Sequence, residues 1–180
     1  MRNVPMYFMA VGIFVTLPVV GLAADKDRTA RLPWKGQAQS ASAVVTPGNP
    51  LYPDRCDGRP AAVAAGAGLT TLLGQFLVQQ SHCLGDNGGF DAGEFTFTTI
   101  GGRTVHGQYS GQLVPAFPPP PGALPGNGVI HGSVCVSGGT AFPGIVDDCA
   151  AGRYSPALGV LNLVTGDGTI FIDYGLGLRR

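Results

Sequence analysis

The residues with the widest chemical range in this chain are its three histidines, its single glutamate and its adjacent aspartates, and their spacing limits what they can do. His82, His106 and His131 are dispersed, one to each strand-like segment. Three inward histidines around a barrel would make a metal site, but alternation places His106 and His131 on outward faces, so no metal is expected. Ser110 shares a strand face with His106, yet four extended residues separate them by about 13 Å, too far for a nucleophile–base pair. The run GQYSG, Gly107 to Gly111, puts Ser110 one place late for a nucleophile elbow, and no strand-to-helix turn follows. Glu94 lies on a polar face, where it is either an acid–base candidate or simply solvated. Asp147-Asp148 has the chemistry for calcium, but adjacent loop acids read as solvated. No phosphate-binding or dinucleotide fingerprint occurs. No catalytic residue is assigned on this basis, and no cofactor is expected.

The cysteines point to export rather than metal binding. Cys56, Cys83, Cys135 and Cys149 form an even set with no CxxC, which fits two disulfides. Three connectivities are open. The favoured one is Cys56–Cys83 with Cys135–Cys149, since each pair brackets one local segment. The N-terminus supports export: Arg2 supplies positive charge, Tyr7 to Leu17 is apolar, Pro18 ends the run, and Gly21-Leu22-Ala23-Ala24 offers a cleavage site after Ala23 or Ala24. Residues 1–24 therefore read as a signal peptide, with an uncleaved anchor as the alternative. The expected location is secreted or periplasmic, with no membrane association after cleavage.

Composition narrows the function classes. Formal net charge is zero, and no basic run is present, which argues against nucleic acid as a partner. The 29 Gly and 15 Pro approach low-complexity levels, but the glycines alternate with Val, Ile, Phe, Tyr and Leu, as in short strands joined by tight turns. Residues 25–59 lack a sustained period and read as an N-terminal arm or linker. Trp34 is either a stray aromatic there or the point where the arm docks.

A β-barrel domain is expected over residues 60–178. Ala61 to Leu69 suits an edge strand. Thr70 to Leu84 fits a strand interrupted at Gly74, with a helix as competitor, and Asp86-Asn87-Gly88-Gly89 marks a turn. Gly93 to Leu113 reads as a hairpin with an apolar face of Phe95, Phe97, Val105, Tyr109 and Leu113. Keeping its faces consistent requires a three-residue loop, Gly101 to Arg103, which would pair Phe97 with Gly107 and Phe95 with Tyr109. Pro115 to Gly128 is a Pro-rich exposed loop. Val129 to Ser137 is a further strand, and Phe142 to Arg153 is a crossover stapled by Cys149. Tyr154 to Val164 and Thr169 to Leu176 form a last hairpin, apolar on both faces and so expected to be buried on both.

The pieces LLGQF (72–76), GEFTFTTIGGRTVHGQYSG (93–111), SGGTAFPG (137–144) and GVLNLVTGDGTIFIDY (159–174) resemble bacterial exported proteins of the allene oxide cyclase barrel-like, or dirigent-like, group. The likeness runs from Gly66 to the C-terminus. It implies an all-β fold with a small closed antiparallel barrel of eight strands around a central cavity. The Pro-rich loop and the Cys-bearing 142–153 segment depart from the simpler family pattern. No cyclase active-site residue aligns onto this chain, so none is transferred.

The expected function is an exported barrel that takes a small hydrophobic ligand or serves as an extracellular interaction module. Phe76, Phe95, Phe97, Tyr109 and Phe171 are the candidate cavity wall, with plain core packing as their other reading. A cyclase or isomerase acting on a hydrophobic substrate is the alternative, with Tyr109 and Glu94 as its first polar candidates. A dry cavity would favour binding, and a buried carboxylate within it would favour catalysis.

Overall fold

The computed structural model describes residues 30–115 and 127–179. The signal-peptide reading of residues 1–24 and most of the Pro-rich loop lie outside the described residues. Eight strands follow in chain order: β1 (Ala30–Val45), β2 (Ala61–Thr70), β3 (Gly74–Leu84), β4 (Gly89–Thr99), β5 (Thr104–Pro115), β6 (Asn127–Gly139), β7 (Ser155–Asn162) and β8 (Asp167–Leu178). Each pairs antiparallel with its neighbour in sequence, and β1 pairs with β8 to close the barrel. Closure removes every open edge, so β2 is not the edge strand expected but is paired on both sides.

The first strand is a correction. Residues 25–59 do not form an arm throughout, because Ala30–Val45 is a full barrel stave. The inward series of β1 is Trp34, Gly36, Ala38, Ser40 and Ser42, mostly too small for their alternation to register as hydrophobic periodicity. Trp34 does not dock from outside: it is 2% exposed, at the centre of the core. The rest of the segment turns back toward β2 and carries a single 3-10 turn, Asp54–Cys56.

The hairpin of β4 and β5 keeps the predicted faces with a shifted register. Its three-residue loop is Ile100–Gly102, closed by Thr99 N–H donating to Arg103 O at 2.8 Å. Phe95 therefore stands opposite Gly107, Phe97 opposite Val105, and Tyr109 opposite Gly93. The principle that placed large residues against glycines holds with different partners. A side chain at Gly107 would meet the Cys135 carbonyl and come within 2.6 Å of the Phe95 ring, so Phe95 lies over bare backbone there.

Inward side chains differ sharply between the two ends. At the end where β1 begins and β8 finishes, Trp34, Phe76, Phe97, Tyr174 and Leu176 interlock in a continuous core with Val105 and Val136. Phe97 lies 4.6 Å from Phe76, 4.8 Å from Phe95 and 5.7 Å from Trp34, ring centre to ring centre. These edge-on and tilted contacts are the favourable ones for aromatic rings.

Strand β7 is too short to separate β6 from β8 at this closed end, and the crossover fills the gap. Asp148 N–H donates to Val136 O of β6, and Val146 N–H donates to Gly177 O of β8, both at 2.9 Å. The Cys135–Cys149 disulfide pins the crossover, and Cys56–Cys83 ties the 3-10 turn to β3. Both pairings are the favoured ones. Asp148 is not a solvated loop acid. It is 0% exposed, accepts a 2.7 Å hydrogen bond from the Tyr174 hydroxyl, and faces Arg31 at 3.4 Å and Arg153 at 3.8 Å. Burying that carboxylate without these partners would be prohibitive.

The last hairpin is not buried on both faces. Ile170, Ile172 and Tyr174 point inward, whereas Leu158, Val160 and Phe171 stand on the outer surface, each at least 41% exposed.

Candidate functional site

Toward the other end of the barrel the inward residues shrink, and the interior opens. A small apolar chamber of about 80 Å³ lies against Trp34, Phe95, Phe97, Val136, Ile172 and Tyr174. It adjoins a larger cavity of about 410 Å³ that reaches the open end between Val44, Leu84, Leu113 and Leu163. Gln80, Tyr109 and Ala157 line both spaces and form the neck between them. The larger volume falls within the ordinary range for small-molecule sites, roughly 300–1,000 Å³.

The candidate wall residues separate into three groups. Phe95, Phe97 and Tyr109 line the interior. Phe76 sits one layer behind, buried against Phe97, and acts as support. Phe171 borders the chamber but is 49% exposed and alternates with inward Ile170 and Ile172, so its ring belongs to the outer face. The strand is apolar on both parities, and alternation alone could not tell inside from outside.

Beside Gln80, the neck holds a polar pair that sequence reading did not assemble. His82 Nδ1 lies 2.8 Å from the Tyr109 hydroxyl. The Phe90 ring packs on both, 4.9 Å from His82 and 5.9 Å from Tyr109. These residues come from three adjacent strands, and an irregularity brings them together. β4 carries an extra residue between Phe90 and Gly93, where Ala92 adopts a left-handed conformation, φ 47°. The bulge reverses the alternation of β4, so Phe90 faces inward along with Gly93, Phe95 and Phe97. Strict alternation from Phe95 would have sent Phe90 outward. The Asp-Ala-Gly run at 91–93 was the available signal for a bulge.

The bulge is braced from outside by the 3-10 turn. Arg55 donates to the Ala92 carbonyl, to the Ser81 carbonyl at 3.0 Å and to the Ser81 hydroxyl at 2.8 Å. It also pairs with Glu94 at 3.2 Å. Glu94 is therefore on the outer surface, engaged with Arg55, and is not a cavity acid. Next to Arg55 in sequence, Cys56 anchors the same turn to β3 beside His82.

Electrostatics keep the pair neutral. Burial, helped by the Arg55 charge, pushes His82 down to about 4, so the imidazole is uncharged at neutral pH. Burial raises Tyr109 well above the usual phenol range, with Arg55 opposing, so its hydroxyl keeps its proton. Tyr174 at the closed end is also raised, by burial and by its hydrogen bond to Asp148. No Asp, Glu, Lys or Arg lines the larger cavity among the described residues. His106 and His131 are exposed on the outside, away from His82. Among the described residues, no three His, Cys, Asp or Glu side chains cluster closely enough to hold a metal ion. The Trp34 indole N–H is buried with no hydrogen-bond partner among the described residues.

The arrangement can seat an apolar molecule and offer it hydrogen bonds from an uncharged imidazole–phenol pair. Comparison with protein-family models, with curated proteins and with solved structures finds no match to this chain.

Proposed function

We propose that this protein is an exported barrel that binds a small hydrophobic molecule in its interior. The observation that carries the reading is the charge-free cavity of about 410 Å³, continuous in lining with an aromatic chamber at its base. Apolar burial in such a space supplies roughly 25 cal/mol per Å² of ligand surface, enough for useful affinity without specific chemistry. Export is supported by the basic, then apolar, then small-residue N-terminus and by two disulfides, which persist in oxidising compartments. The resemblance to allene oxide cyclase barrel-like proteins belongs to the same proposal, since that group shares the expected cavity.

Native mass spectrometry of protein purified from its exported compartment tests the reading. A co-purified hydrophobic molecule released on unfolding is the expected result. A bare chain that also refuses apolar probes would overturn it.

A second reading rests on the His82–Tyr109 pair: a cyclase or isomerase that uses it to move a proton on a bound hydrophobic substrate. An imidazole and a phenol in contact have the required acid and base. Among the described residues the cavity lining holds no carboxylate of the kind that would favour catalysis, and binding is the primary reading. Turnover of a bound ligand, lost in Tyr109→Phe, would reverse that order.

A further inference from the structure

The neck pair carries more information than its position, through a count of its protons. Neutral His82 holds one ring N–H, and Tyr109 holds one O–H. The 2.8 Å contact between Nδ1 and the hydroxyl uses one of these two protons. If Tyr109 donates to Nδ1, the remaining donor is the Nε2–H of His82. If Nδ1–H donates to Tyr109, the remaining donor is the phenolic O–H. Either tautomer leaves one donor unspent, together with an acceptor lone pair. No other hydrogen bond engages either group among the described residues.

That donor borders a cavity whose lining is otherwise largely apolar. The donor has no partner among the described protein groups, and a ligand oxygen that displaces solvent from the cavity would supply one. The ligand's charge is limited by the same surroundings. The nearest cation to act on the pair, Arg55, is already engaged by Glu94. A carboxylate or ammonium group in the cavity would be desolvated without a counter-charge, at high cost.

We propose that the His82–Tyr109 pair anchors the oxygen of an uncharged, apolar-tailed ligand, such as a ketone, aldehyde or alcohol. The oxygen meets the pair at the neck, the short end of the ligand enters the chamber beside Phe95, Phe97 and Ile172, and the longer tail lies in the larger cavity toward Leu84, Leu113 and Leu163. This rests on the cavity-binding reading above and specifies its ligand class. It also explains why a polar pair persists where a second apolar layer would close the barrel.

Trp34 supplies the assay, because it is the only tryptophan in the chain and lines the chamber. Its fluorescence would be titrated with octane, octanol, methyl hexyl ketone and octanoate. Octane is driven from water more strongly than the ketone or the alcohol, so the readout is the ketone-to-octane affinity ratio. That ratio is expected to be about tenfold higher in the protein than in a Tyr109→Phe, His82→Phe double variant, the contribution of one hydrogen bond, with octanoate binding more weakly than the ketone. A ketone-to-octane ratio that is unchanged in the double variant, or octanoate binding more tightly than the ketone, would overturn the ligand class and leave the cavity reading intact. Failure of every probe to bind would overturn both.

Variants then locate the donor. Tyr109→Phe alone leaves the His82 N–H, and the ketone-over-octane preference should largely survive. Tyr109→Phe combined with His82→Phe removes both donors, and the ketone-to-octane ratio should fall about tenfold. A double variant that keeps the full preference would show that the oxygen is held elsewhere.

Discussion

The closed end and the open end of this barrel are built from the same eight strands, yet they do different things with their inward residues. At the closed end, Trp34, Phe76, Phe97, Tyr174 and Leu176 meet, and their rings pack edge-on or tilted against one another. At the open end, Ser42, Ala62, Ala157 and Gly159 take the corresponding inward positions, and the rings of Phe90 and Tyr109 fill only part of the space. Strand number sets a barrel's width, and side-chain volume then decides how much of it is filled. Stability should therefore concentrate at one end and ligand binding at the other.

The sharpest way to break this comparison is to empty the closed end. Phe97→Ala should cost about 4 kcal/mol, because the ring contacts Trp34, Phe76 and Phe95 at once. Urea unfolding should register that loss as a lower midpoint. A loss near 1 kcal/mol would mean that the closed end is not a close-packed core.

The disulfides give the next test, since one sits at each end. Replacing both cysteines of either pair by alanine should cost about 3 kcal/mol in the chain-entropy picture, with sequence separations of 14 and 27. Binding should distinguish them. Loss of Cys56–Cys83 frees the turn that braces the β4 bulge and should weaken probe binding. Loss of Cys135–Cys149 should leave binding by the remaining folded protein near normal. Equal effects on binding would abolish the division between the ends.

Acid should act at the open end through His82. Its folded value, about 4, lies below the roughly 6.5 of an unfolded histidine. Between these values the unfolded chain takes up a proton that the fold refuses. This contribution to stability is intact above about pH 6.5 and is lost as pH falls toward 4, by up to about 3 kcal/mol. The difference in urea midpoint between the protein and His82→Gln, followed from pH 7.5 to 4.5, isolates it. Parallel curves for the two proteins would show that His82 is not held neutral.

The smallest effect on stability is expected from filling the cavity. Ala157→Leu at the neck should change stability by no more than about 1 kcal/mol, because the added methyl groups enter existing space. It should nonetheless reduce probe binding at least tenfold. Unchanged affinity, measured by Trp34 fluorescence, would mean that probes bind elsewhere.

The sequence revealed the closed end more readily than the open one. Phe95, Phe97, Val105 and Tyr109 share a face by simple alternation, and bulky residues make alternation visible. β1 was obscured because its inward side chains after Trp34 are glycine, alanine and serine. Alternation cannot place Phe171, because β8 is apolar on both parities and only the closed sheet distinguishes its faces. The His82–Phe90–Tyr109 group depends on a one-residue bulge and on contacts across three strands. Strict period-two reading places Phe90 on the wrong face at that bulge. Nothing around Asp148 in the sequence marks it as buried, because the gap it fills is created by the shortness of β7, a property of the assembled barrel.

The pairing of β1 with β8 has a topological consequence. Ala30 stands opposite Leu178, so the two ends of the described barrel are neighbours in one antiparallel ladder. Every strand then contacts the next around a ring, and the order of strands has no obligatory starting point. A circular permutant that joins Leu178 to Ala30 through a short linker and opens the chain at Gly101-Gly102 would keep every strand pairing.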